Sequence, residues 1–232
     1  MDTPPFPLSL PWRVGEYTFN ELMRTTGMSW LLRGTDAAGV QVVGKVAMPG
    51  ISSQLISDEA RMLSRLKGRG PFSSYRDFVF WDSYGVMIYN FAEGVDLRGR
   101  LAEEGRLGLF HVLRIGKGVA RALEVFATLH YAGGGPASVA HRDLKPANIL
   151  WTPRGEIVLL DLGVGLWRGR NLPPVWSDPS TSVGSPAYFS PEQASYGGAA
   201  SADPRSDIFT LGLVLWELAV GRTFYIGNSV GD

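Results

Sequence analysis

Residues 140–151 read AHRDLKPANILW, and they decide the fold because they interrupt an apolar chain with Arg142, Asp143, Lys145 and Asn148 in one short loop. Pro146 and the crowding of polar groups argue against a continuous helix here. The apolar ends, VA before and ILW after, pin the loop to a core on both sides. A polar loop held this way presents its side chains in fixed positions.

The residue types define a chemistry when taken together. An aspartate at 143 can accept a proton from a hydroxyl, and a lysine at 145 can balance phosphate charge. Asn148, with Asp161 in the following EIVLLDLG, supplies the hard oxygen ligands that Mg²⁺ prefers. As a set they describe phosphoryl transfer, although each one singly is an ordinary solvated loop residue.

Composition sets outer limits. The chain has 232 residues, 45% of them hydrophobic, enough to bury the core of one large domain or two small lobes. Lys plus Arg equals Asp plus Glu at 22 each, so no global field draws in nucleic acid or an anionic membrane. Cysteine is absent, which excludes disulfides and thiolate metal sites. The start, MDTPPFPLSLPW, lacks the basic and apolar regions of a secretory signal. The most apolar run, DIFTLGLVLWELAVG, carries Asp207 and Glu217 and is short for a membrane span. A soluble, cytoplasmic protein is the expectation.

Working outward from the loop, the first half is β-like. EYTFNELMRT, SWLLRGTD and VQVVGKVAM read as strands, SQLISDEARMLSRLKG as an amphipathic helix ending at Gly68, and FVFWD and VMIYNFA as two further strands. Five strands and one helix are expected. From Leu109 the period turns helical and continues to Tyr131, with Gly116 and Gly118 each costing roughly 1 kcal/mol that packing must offset. Residues 163–190 are rich in Gly, Pro and Ser without clear periodicity, which a compact domain rarely retains without a purpose. Ile208 to Val220 reads as a helix apolar on nearly every side.

HRDLKPANIL, DLG and GSPAYFSPEQA resemble the catalytic loop, metal-binding triplet and activation-segment end of eukaryotic-like (Hanks-type) serine/threonine protein kinases, in their bacterial style. SDIFTLGLVLWELAVGRTFY is similar to the central helix of the same family's C-lobe. The resemblance implies an α+β, two-lobed fold: an N-terminal extension at 1–16, a β-rich N-lobe at 17–89, a hinge at 90–95 and a helical C-lobe at 96–232. It implies Asp143 as catalytic base, Lys145 as a contact to the transferred phosphoryl, and Asn148 and Asp161 as Mg²⁺ ligands. Lys45 would be the ATP lysine and Glu59 its helix partner, with the helix swung inward to make the pair. His141 and Leu162 would be packing residues of the regulatory spine. Tyr89 would be the gatekeeper, Asn90 to Ala92 would line the adenine edge, and Asp96 would reach the ribose. Lys145 and GSPAYFSPE imply Ser or Thr hydroxyls of proteins as substrates, with Ser185 bridging Lys145 and Asp143. Arg142 would mark an activation segment, Asp161 to Glu192, that phosphorylation can order, with Ser177, Ser180, Thr181 and Ser182 as autophosphorylation candidates.

Two departures follow from the same alignment of motifs. The glycine-rich loop is degenerate: Arg24, Thr26 and Ser29 stand at its glycine positions, with Gly27 alone nearby. Thr26, Gly27 and Ser29 would then have to cover the ATP phosphates, the hydroxyls donating in place of backbone groups. The second departure is an all-apolar helix with few residues after it, so the C-lobe reads as truncated after its central helix and Glu192 as lacking a downstream arginine partner. A pseudokinase acting as an interaction module, and a small-molecule phosphotransferase of related fold, are the rival readings. HRDLKPAN and SPEQ speak against the latter.

Overall fold

The computed structural model describes residues 6–26, 28–48, 53–82, 84–129, 139–162, 185–194 and 203–225. It divides into two compact units, Met1–Gly68 with Ser73–Ala92, and Arg69–Phe72 with Glu93–Asp232.

The first unit is one antiparallel sheet of six strands: β1 (Trp12–Val14), β2 (Tyr17–Thr25), β3 (Ser29–Thr35), β4 (Gln41–Ala47), β5 (Tyr75–Trp81) and β6 (Tyr84–Asn90). Their order is β1-β2-β3-β4-β6-β5. The sheet has one strand more than the sequence pattern suggests. Trp12–Val14 is too short to show a period of two, and it is recruited by pairing Trp12 with Phe19 and Val14 with Tyr17.

The sheet curls until its outer strands meet. Trp12 of β1 packs edge-on against Trp81 of β5, ring centroids 5.4 Å apart. Inside lie Phe19, Trp30, Leu32, Val42, Val46 and Ile88, with Phe6, Leu8 and Leu10 packed against them. Alternation along β4 puts Val42 and Val46 in this core and turns Val43, Lys45 and Ala47 to the other face. Gly44 faces the core as well, and a β-carbon there would lie 2.6 Å from the Phe19 ring, so only glycine fits. Helix α1 (Ser53–Leu66) follows β4 and buries Ile56, Ala60, Met62, Leu63 and Leu66.

The second unit contains β7 (Val95–Asp96), α2 (Leu97–Glu104), α3 (Leu109–Ala127), β8 (Ile149–Trp151), β9 (Ile157–Leu159), a short α4 (Pro191–Ala194) and α5 (Pro204–Val220). Strands β7, β8 and β9 form a small antiparallel sheet in that order. The two glycines of α3 mark close approaches. A β-carbon at Gly118 would lie 2.7 Å from Ile157 of β9, and one at Gly116 would lie 3.1 Å from Leu215 of α5. Their helix-propensity cost is therefore offset by packing.

Helix α3 ends at Ala127, short of the expected Tyr131, because Thr128 turns the chain. Its hydroxyl donates to the Val125 carbonyl at 2.7 Å, and its N–H bonds the same carbonyl at 3.1 Å, which closes the last turn. Helix α5 is bounded at both ends. Asp203 and Ser206 form a capping box with Pro204 at the first helical position, and Gly221 stops the helix in the left-handed region with φ 81°. The cover that a helix apolar all round requires is incomplete among the described residues, in line with the expectation that it is missing. Leu211, Leu213, Val214 and Leu218 are buried, whereas Ile208 is 57% and Trp216 42% exposed.

Candidate active site

The loop between Val139 and β8 is built around one carboxylate. Asp207, on the first turn of α5, accepts the backbone N–H of His141 at 2.6 Å and of Arg142 at 2.9 Å. Asp207 is 2% exposed. Burial pushes its carboxyl above the ordinary aspartate value, and the opposing pull of His141, the two N–H donors and Arg142 is smaller. Sequence reading noted Asp207 only as a charge in an apolar run. The signal that could have found it is an acid on a helix otherwise fit for a core, which must have donors waiting for it.

On this support the expected residues converge. Lys145 Nζ donates to Asp143 Oδ2 at 2.7 Å and to Ser185 Oγ at 2.9 Å, so Ser185 joins the pair through the lysine. Asn148 Nδ2 donates to the Asp143 carbonyl at 2.9 Å and to Asp143 Oδ2 at 3.1 Å. Two acceptors on one side fix the amide's orientation, leaving its Oδ1 as the oxygen a cation would meet. Asp143 Oδ1 is buried and has no hydrogen-bond partner among the described residues. A buried acceptor of this kind is costly unless a ligand's donor reaches it.

Asp161 stands two residues beyond β9 rather than on it, with φ 56°. The pairing of β8 with β9 continues one step past the strands, the Leu160 N–H donating to the Asn148 carbonyl at 2.9 Å, which brings Asn148 and Asp161 to the same end of one hairpin. Their donor set, an amide oxygen and a carboxylate, fits Mg²⁺. His141 and Leu162 are both buried, at 0% and 1% exposure.

In the first unit, Lys45 Nζ meets Glu59 Oε2 at 2.7 Å, both side chains buried at 7% and 2% exposure. The pair joins β4 to α1. The hydroxyls of the β2–β3 turn make contacts within the turn itself. Thr26 Oγ1 accepts the Ser29 N–H at 3.0 Å and the Met28 N–H at 3.3 Å, and Thr26 N–H donates to the Ser29 carbonyl at 2.9 Å. Ser29 itself is 1% exposed, so its hydroxyl serves the turn rather than a ligand's phosphates. Gly27 lies outside the described residues, as do Ser177, Ser180, Thr181 and Ser182.

At the end of β6, the Asn90 N–H donates to Ser74 O at 2.9 Å and the Phe91 N–H to Gln41 O at 3.2 Å. Tyr89 is half-buried on β6, and Ala92 follows the strand as the last residue of the first unit. Asp96 caps α2, its Oδ1 accepting the Gly99 N–H at 2.8 Å, a role sequence reading did not assign. Glu192 has the hydroxyl of Ser206 as a partner, which holds its carboxyl below the ordinary glutamate value.

The family model for the protein kinase domain matches residues 39–231, and this chain belongs to that family. The chain is 31% identical over 222 residues to the serine/threonine-protein kinase PknL of Mycobacterium tuberculosis, a match covering 92% of this chain and 51% of PknL. It is 29% identical over 229 residues to the serine/threonine-protein kinase PknA of the same organism, covering 93% of this chain and 49% of PknA. The chain thus spans about half the length of these curated relatives. No helix among the described residues is long and apolar enough to cross a membrane.

Proposed function

We propose that this chain is the catalytic part of a serine/threonine protein kinase, transferring the γ-phosphate of Mg-ATP to protein hydroxyls. The observation that carries the reading is the Asp143 cluster: a buried Oδ1, without a partner among the described residues, on a carboxylate whose other oxygen is held by Lys145 and Asn148.

In this reading Asp143 Oδ1 accepts the hydrogen of the attacking Ser or Thr hydroxyl and orients its oxygen. Lys145, already shared between Asp143 and Ser185, compensates charge on the moving phosphoryl. Lys45, held by Glu59, contacts the α and β phosphates. Asn148 Oδ1 and Asp161 hold Mg²⁺, which when bound neutralises charge on the β and γ phosphates. The Asn90 carbonyl and the Ala92 backbone form the adenine edge, since the N–H groups of Asn90 and Phe91 are already engaged. Asp96 reaches the ribose with the oxygen not used in its cap.

Incubation of the full-length protein with γ-labelled Mg-ATP and a generic Ser/Thr protein substrate tests this. Label should enter the substrate, and Asp143→Asn should lower the rate on the order of 10²–10⁴-fold, the range a positioned general base supplies. Asp161→Ala should abolish the Mg²⁺ dependence together with the rate. Label entry no faster than in both variants, in protein shown to be folded, would refute the reading. Nucleotide binding without transfer would then identify a pseudokinase.

A further inference from the structure

The Arg142 peptide is gripped from both sides, and one grip has no assigned purpose. Arg142 is a non-glycine residue with φ 67°, a backbone region that surrounding structure must enforce. Its N–H is held by Asp207. Its carbonyl accepts a hydrogen bond from Gln193 Nε2 at 3.2 Å, across 51 residues of sequence. Gln193 is 5% exposed and sits on α4, inside the GSPAYFSPEQA motif.

Gln193 also closes a local motif. Its Oε1 accepts the Ser190 N–H at 3.1 Å and pairs with the Ser190 hydroxyl at 3.2 Å, the reach-back half of an S-x-x-Q capping box. That box needs only an acceptor, which glutamate supplies as well as glutamine. The amide nitrogen is what glutamine adds, and it goes to the carbonyl immediately before Asp143. The segment carrying it is fixed to α5 by the Thr210 hydroxyl on the Tyr188 carbonyl at 2.9 Å and by Ser206 on Glu192. Gln193 and Asp207 therefore hold opposite ends of the Arg142 residue from one frame.

We propose that Gln193 is a positioning residue for the transfer reaction: through the Arg142 carbonyl it sets the direction of Asp143, and it links the seating of residues 185–194 to the competence of the catalytic loop. The kinetic arm of the test rests on the proposed phosphotransfer, and a second arm does not.

Three variants of the full-length protein separate the two halves of the glutamine. Gln193→Glu keeps the acceptor for Ser190 and loses the donor to Arg142; Gln193→Met loses both; Ser190→Ala removes only the serine hydroxyl. The expected result is a roughly tenfold fall in kcat for the Glu and Met variants, KM for ATP within about twofold, and wild-type kcat for Ser190→Ala. Hydrogen exchange should show faster uptake in the 139–148 segment of both Gln193 variants and unchanged uptake in β8 and β9. If Gln193→Glu retains wild-type kcat and wild-type exchange, the glutamine is a helix cap only and the proposal falls. If the wild type transfers no phosphate while the exchange difference persists, the proposed function fails and the positioning contact stands.

Discussion

Two polar turns of this molecule are built in opposite ways. The β2–β3 turn is wired from within: Thr26 satisfies Met28 and Ser29, all within three residues. The catalytic loop is wired from outside, by Asp207 at 65 and 66 residues, Gln193 at 51 and Ser185 at 40. A turn that satisfies itself can form wherever its sequence occurs. A loop whose backbone donors and carbonyl are met by distant side chains has its geometry only when the unit around it is folded. The proposed chemistry sits in the second kind, because a base would have to be held in one place while a proton and a phosphoryl move past it.

The largest expected break of this contrast is Asp207→Ala. It leaves two buried N–H groups without an acceptor, each at a cost of ~1–3 kcal/mol, so unfolding free energy should drop by about 2–6 kcal/mol. Asp207→Asn keeps one acceptor oxygen and should lose roughly half as much. Equal losses in denaturant titrations would show that the carboxylate's charge, not its two acceptors, supports the loop.

Thr26→Val is the matching cut in the self-wired turn. Removing one hydroxyl that caps local N–H groups should cost about 0.5–2 kcal/mol, as helix-cap hydroxyls do. The effect should stay within the first unit, visible as faster hydrogen exchange at residues 26–30 with the 139–148 segment unchanged. Spread of the exchange change to the catalytic loop would erase the distinction between the two turns.

The smallest expected effect concerns the β3–β4 turn, which is wired locally through two N–H groups and at 40 residues through Arg76. Asp36 accepts N–H bonds from Val40 and Ala38 and pairs with Arg76, and the Val40 donor chiefly holds its carboxyl below the ordinary value of 3.8. A carboxyl depressed in the folded state binds protons less readily than in the unfolded chain. Its stabilising contribution is therefore full above that ordinary value and is lost as pH falls through the folded value. The melting-temperature gap between the wild type and Asp36→Asn should narrow on acidification from pH 6 toward pH 3. A gap that widens would reverse the sign of the coupling.

The same contrast explains what could be read in the sequence. Asp143, Lys145 and Asn148 were legible because their contacts lie within five residues of one another. Lys45 with Glu59 was legible from motif order, 14 residues apart. The roles of Asp207 and Gln193 were not, since their partners are backbone groups, and any residue presents an N–H and a carbonyl. Strand β1 was hidden in a Pro-rich start because three residues carry no period. The cost of Gly116 and Gly118 could be read from composition, but not that Leu215 and Ile157 press on them. The contacts of Thr26 within its own turn were hidden for a related reason: a hydroxyl beside a turn can face a ligand or its own backbone, and residue type does not say which.

The most direct test of the account compares phosphate transfer by the wild type, Asp143→Asn and Asp36→Asn in one assay with γ-labelled Mg-ATP. The account predicts a loss on the order of 10²–10⁴-fold for Asp143→Asn. Its melting temperature should stay close to that of the wild type, and Asp36→Asn should transfer at the wild-type rate. Equal rates for the wild type and Asp143→Asn, in proteins with matching melting curves, would contradict it.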